Sequence, residues 1–490
     1  MDDLFFLPAH RLAQQIRDRQ VSAVEVLKAH LAQIEKHNPQ LNAICTLDAD
    51  NAYAKATQAD AALARGENWG ALHGVPITIK DVFETAGLRT TAGSISLQNY
   101  QPQADAVAVR RLRAAGAVIL GKTNVGDLAG GYQGLNDIFP RVNNPWQLDY
   151  TPGGTSSGSA AAIAAGLSPL DLCSDFGGSI RQPAHFCGIY GLKPTDRRVP
   201  TIGHIPEVPH SPRCMRQMLT VGGLARSIQD LVICLQTIAG ADAAQPDIST
   251  APLDEPTDRP LQTRRIAWVD EWSSYPVAAD IKLAMQSVAT RLTEAGVTVE
   301  KWVPDFDFQV AWRTYYKLAT YNLLYAQSLT MGDVQKNLAF LFRDATQGDR
   351  TFRQLGNLAS IGIPISFNPS LKGYFETLTD RDQLTAQMER ELAQWDAWLC
   401  PVAMTPAFPH CQRGAAIQVD DSRVPYSMAS GAYVVPFNLT GHPVVVIPIS
   451  QTQDGLPIGM QIIGQRWREM ELLAIAQEID KMVETFYHPR

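Results

Sequence analysis

The chain has no run approaching the roughly 18 apolar residues that would cross a membrane, so no membrane span is expected. It has no strongly basic stretch: Lys and Arg number 42 against 49 Asp and Glu, a net charge of −7. That balance argues against nucleic acid as the main partner. Seven cysteines are scattered without a single CxxC pair. An odd, dispersed set excludes a disulfide framework and reads as reduced thiols in a cytosolic protein. The ten histidines show no metal-ligand spacing with Cys or carboxylates, so no metal is expected. The N-terminus, MDDLFFLPAH, lacks the basic start and apolar core of a signal peptide, and the expected location is the cytoplasm. Internal repeats and low-complexity tracts are also missing. What is present is an ordinary globular composition, 45% hydrophobic and 19% charged over 490 residues. We read 1–490 as a single domain.

Periodicity alternates between helix and strand. Residues 22–37 open with Ser22 and Glu25 at capping-box spacing and share the apolar face Ala23, Val26, Leu27, Leu31 and Ile34. In 75–81, VPITIKD, Ile77 and Ile79 alternate with Thr78 and Lys80, as in a half-buried strand. Lys80 then sits near a strand end, where active-site groups of open α/β sheets lie, although a lone strand lysine is ordinarily a solvated surface residue. Residues 117–120, 265–269, 297–303, 398–404, 443–449 and 456–463 read as strands. Residues 105–115, 278–295 and 466–483 read as helices, and 222–230 as the start of another. The alternation implies α/β architecture with a large, mostly parallel sheet. Residues 304–395 differ, being mostly helical and aromatic-rich (Trp312, Tyr315, Tyr316, Tyr321, Tyr325). These rings fit core packing better than a binding wall.

The most informative stretch is 153–195, GGTSSGSAAAIAAGLSPLDLCSDFGGSIRQPAHFCGIYGLKPT. Glycines mark two separate turns, as where backbone passes close to something or takes positive φ. Hydroxyls beside both turns suggest acyl transfer, with Ser179 as nucleophile. Backbone N–H groups of Phe176, Gly177, Gly178 and Ser179, ahead of a helix opening at Ile180, are candidate oxyanion donors. Asp175 and Arg181 fit the ordering of this turn better than catalysis, and Cys187 fits a small core residue. Two short motifs fail on context. Residues 116–123, GAVILGKT, match a phosphate-binding loop, but their variable positions are themselves a strand. Residues 154–158, GTSSG, match a nucleophile elbow centred on Ser156, but no apolar strand precedes them.

The 153–195 stretch resembles the amidase signature, the defining segment of a family of serine amidohydrolases with a Ser-Ser-Lys triad. The resemblance continues in GALHGVPITIKD (70–81), TTAGS (90–94), NNPW (143–146) and 437–464. About three quarters of the chain can be laid on the family, with 304–395 outside. The resemblance implies an α/β/α sandwich, helices covering both faces of the sheet, and the variable segment 304–395 packed near the active site. It implies Ser179 as nucleophile and Lys80 as general base and acid. Ser-Lys pairs need no histidine. The family's bridging serine, preceded by a cis peptide, falls on Thr155, so Thr155 is the expected proton relay, with Ser156 auxiliary. Threonine keeps the hydroxyl but adds a methyl and a stiffer χ1. Ser157 stands where the family has Gly, and Phe139-Pro140 replaces its Phe-Gly. Gly130, Gly131 and Tyr132 are implied to line one wall of the substrate pocket. The implied activity is hydrolysis of a linear, small-molecule amide without cofactor. The alternatives are the glutaminase subunit of an amidotransferase, which would need partner subunits, and a catalytically impaired binding protein motivated by Thr155. A homodimer is compatible with the sequence.

Overall fold

The computed structural model describes residues 4–207, 213–272, 275–327, 370–483 and 488–489. Thirteen strands are described: β1 (Ile44–Leu47), β2 (Pro76–Lys80), β3 (Val118–Thr123), β4 (Leu170–Asp175), β5 (Tyr190–Lys193), β6 (Thr220–Ala225), β7 (Arg265–Trp268), β8 (Thr298–Lys301), β9 (Ala397–Pro401), β10 (Ile417–Val419), β11 (Ser422–Val424), β12 (Val444–Gln451) and β13 (Pro457–Ile463). Strands β10 and β11 make a small hairpin. The others form one 11-stranded sheet in the order β1-β3-β2-β4-β6-β5-β12-β13-β9-β7-β8.

The sheet is large and mixed. Its parallel pairing is concentrated in two blocks, β3-β2-β4 and β9-β7-β8. From β4 through β6, β5, β12 and β13 to β9 every pairing is antiparallel, as is β1 on β3. The helix–strand alternation therefore predicts the two blocks and not the centre. Antiparallel neighbours need no helical crossover, and β12 reaches β13 through a short turn.

Side chains on β4 and β12 are divided between two buried clusters. Leu170, Leu172, Val445 and Ile447 join the larger cluster. Cys173 and Val446 join the smaller one, with Ala160 and Ile163 of the helix Ser157–Ala164 and Ala184 and Cys187 of the helix Arg181–Cys187.

The expected helix over 222–230 is corrected. Residues 220–225 are strand β6, and the helix Ile228–Ile238 starts later, capped by Ser227. The glycines decide this. A Cβ on Gly222 would stand 2.0 Å from the carbonyl oxygen of Leu192, so glycine lets β6 lie between β4 and β5. Strands β1 and β5 also lack a sequence signal of their own.

Within 304–395, Phe308–Gln327 and Leu371–Leu392 are helical and pack against each other. Residues 328–369 and the side chain of Tyr325 lie outside the described residues. Trp312 and Tyr315 are buried, and Tyr316 and Tyr321 half-buried. No helix among the described residues is long and apolar enough to cross a membrane.

Candidate active site

Strand β2 is buried along its whole length between β3 and β4 and ends on Lys80. Its ammonium group, fully buried, is 2.8 Å from Thr155 Oγ1 and 3.3 Å from both the carbonyl and the hydroxyl oxygen of Ser174. Asp81, the next residue, does not pair with it. Its carboxylate accepts from Thr91 N and Oγ1 and lies 3.6 Å from Lys122 Nζ. Burial therefore dominates at Lys80 and pulls its pKa down to about 8, against the opposing pull of Cys173, Asp175 and Asp171. A buried amine bonded to neutral oxygens can lose its proton near neutrality.

Thr155 is nearly buried and follows a cis Gly154–Thr155 peptide. Gly154 donates its N–H to Gln182 Oε1 at 2.8 Å. A Cβ on Gly154 would meet Gly131 O at 2.6 Å and Tyr132 Cα at 2.8 Å. The 130–132 loop thus packs directly on the residue before Thr155. Tyr132 also donates its hydroxyl to Gly177 O at 3.2 Å, tying the same loop to the Ser179 turn.

That turn leaves β4 at Asp175 and enters the helix Arg181–Cys187. Gly178 has φ +101°, and a Cβ there would lie 2.5 Å from Val434 Cγ2, so the position admits only glycine. Asp175 holds the turn. Its carboxylate accepts from Gly178 N (2.8 Å), Ile180 N (3.1 Å), Arg181 Nε (3.0 Å), Arg181 Nη2 (2.9 Å) and Asn438 Nδ2 (2.8 Å). Although burial opposes it, the Arg181 and Asn438 contacts hold this carboxyl well below the usual range. Gly178 therefore spends its N–H on Asp175 rather than holding it open for an oxyanion. On the other side of the turn, Tyr315 donates its hydroxyl to Phe176 O at 3.1 Å. Ser179 is 7% exposed.

Ser156 does not take up the auxiliary position. Its hydroxyl is buried without a hydrogen-bond partner among the described residues, and Lys80 bonds Thr155 and Ser174 instead. Ser157 donates its hydroxyl to Gly153 O. Lys122, the lysine of the apparent phosphate loop, is buried and bonds Phe83 O (2.6 Å) and Thr90 Oγ1 (3.0 Å). It belongs to strand β3 and binds together the segment after Lys80. Sequence reasoning missed Ser174, His204, Asn438 and the hydroxyls of Tyr132 and Tyr315. Only Ser174 had a signal, its place beside Asp175 on an alternating strand.

The Amidase family model matches residues 25–473, a span that includes 304–395, so the expectation that this segment falls outside the family is corrected. A relative from Geotalea daltonii, named as one of the subunits of glutamyl-tRNA(Gln) amidotransferase, is 33% identical over 509 residues, covering 100% of this chain and 99% of the relative. Among solved structures, one describes a vestigial protein complex and the origins of an s-triazine catabolic enzyme. It superposes with a TM-score of 0.82 at 28% identity, over 99% of this chain and 100% of its own. The peptide amidase of Stenotrophomonas maltophilia does so at 0.76 and 27%, over 99% and 98%. A near-complete family match, a shared whole-chain fold and a third of residues in common with a full-length relative together show that this chain belongs to the Amidase family.

Proposed function

We propose that the chain hydrolyses a C–N amide bond through an acyl-enzyme on Ser179, with Thr155 relaying the proton and Lys80 as base and then acid. The observation that carries this reading is the buried 2.8 Å contact between Lys80 Nζ and Thr155 Oγ1. With a pKa of about 8, roughly a tenth of Lys80 is neutral at pH 7. Neutral Lys80 takes the Thr155 proton as Thr155 takes that of Ser179, whose oxygen attacks the amide carbon. The oxyanion draws on the N–H groups of Phe176, Gly177 and Ser179. The protonated lysine returns its proton through Thr155 to the leaving nitrogen, the C–N bond breaks, and water releases the acyl group by the reverse relay. Gly130, Gly131 and Tyr132 form the substrate wall.

Two settings suit this chemistry. Family membership and the likeness to a peptide amidase favour a hydrolase acting alone on a small linear amide. The name of the Geotalea daltonii relative favours a glutaminase component of an amidotransferase, with glutamine as the amide and a partner receiving the ammonia. The relative's full-length alignment gives this second setting the stronger support. The test is ammonia release from glutamine and from a panel of simple primary amides. The proposal predicts release by the wild-type chain that disappears in Ser179→Ala. Release that survives in Ser179→Ala contradicts it, and ammonia from other amides but not glutamine rejects the glutaminase setting.

A further inference from the structure

A second layer of groups stands behind Lys80. His204 comes from a loop sewn to the residues that follow Lys80 and Asp81: Glu84 donates its N–H to Gly203 O and Ile205 donates its own to Val82 O, both at 2.8 Å. The His204 imidazole stands edge-on to Phe83, with ring centroids 5.0 Å apart at 90°, and is almost fully buried. Its Nε2 lies 2.8 Å from Ser174 Oγ, the same oxygen that lies 3.3 Å from Lys80 Nζ. We propose that His204 sets the direction of the Ser174 hydroxyl and thereby leaves the Lys80 lone pair to Thr155. His204 is a positioning residue, and this role rests on the reading of Lys80 as the base.

The argument is one of donors and acceptors. Lys80 has three oxygen partners. The Ser174 carbonyl can only accept, whereas a hydroxyl can accept or donate. A Ser174 hydroxyl that donated to neutral Lys80 would occupy the lone pair that must receive the Thr155 proton. An unprotonated Nε2 on His204 takes the Ser174 proton instead. Both Ser174 oxygens then accept N–H bonds from the amine, and the lone pair is left facing Thr155. The ring has the state this requires. Burial and the neighbouring Lys80 charge lower the His204 pKa to about 3, so it is neutral. Its single ring proton then sits on Nδ1, which is buried without a hydrogen-bond partner among the described residues. The other groups facing Lys80 are Asp171, Cys173 and Asp175 on β4. Asp81, beside it on the chain, is committed to Lys122 and Thr91.

The test is the pH dependence of Ser179 labelling by a small serine-reactive phosphonate in the whole chain. His204→Phe keeps a ring against Phe83 but removes the acceptor. The freed Ser174 hydroxyl then stabilises neutral Lys80, so the acid limb moves to lower pH by about half a unit or more. At the same time it competes with Thr155, so the plateau rate falls about tenfold. His204→Gln, whose amide oxygen can accept from Ser174, restores both. In a Ser174→Ala background His204→Phe has no further effect. Should His204→Phe not fold, His204→Met is read the same way. A slower rate with an unmoved acid limb, or an undiminished effect in the Ser174→Ala background, overturns the inference. If Lys80→Ala labels as fast as the wild type, it is the reading of Lys80 as base that fails.

Discussion

At the scale of single residues, the candidate site turns on a lysine that forms no ion pair with the carboxylate next to it in the chain. Asp81 is committed to Lys122 and Thr91, so Lys80 meets hydroxyl and carbonyl oxygens and its pKa falls to about 8. Because only the neutral amine is a base, Ser179 labelling should rise about tenfold per pH unit below that value and level off above it. A rate flat between pH 6 and 9 would contradict this. Thr155→Ser should label at a rate within a few-fold of the wild type. Thr155→Val, which keeps the shape and loses the hydroxyl, should fall by about 100-fold or more. Asp175 has a different task. Asp175→Asn leaves Arg181 buried without its charge partner, and the urea midpoint should report a loss of about 3–5 kcal/mol. Ser179 was legible from its glycine turn and flanking hydroxyls, and Asp175 and Arg181 from their place in that turn. Lys80 and Thr155 were legible only through the family resemblance, because a lysine on a strand and a threonine in a loop are ordinary in themselves. Ser174 and His204 meet across 30 positions, and no local pattern encodes such a meeting.

At the scale of elements, strands with their own alternation or apolar run were legible. The sequence expectations at 117–120, 265–269, 443–449 and 456–463 correspond to β3, β7, β12 and β13. Strand β6 was not, because two adjacent glycines erase the side-chain pattern from which a strand is read. The same glycines are what the sheet needs. Gly222→Ala would drive its methyl group into the Leu192 carbonyl, and we expect a loss of about 3 kcal/mol in urea unfolding. An unchanged midpoint would show that β5 and β6 can separate without cost. The tyrosines of the helix Phe308–Gln327 read as packing; Tyr315 is buried, whereas Tyr316 and Tyr321 are half-buried. Tyr315 also reaches the Ser179 turn through its hydroxyl. Tyr315→Phe should therefore slow labelling severalfold while leaving the unfolding midpoint within about 0.5 kcal/mol.

At the scale of the whole molecule, the α/β class was legible from helix–strand alternation, whereas the antiparallel centre was not. Pairing partners far apart in sequence leave no trace in local periodicity. The family match spans residues 25–473, across 304–395. The central claim remains the activated hydroxyl. Its most direct test exposes the intact chain to a small serine-reactive phosphonate and maps the adduct by peptide mass spectrometry, with Lys80→Ala alongside. The account predicts one adduct, on Ser179, that is lost in Lys80→Ala. An adduct on Ser156, or one on Ser179 that persists without Lys80, would contradict it.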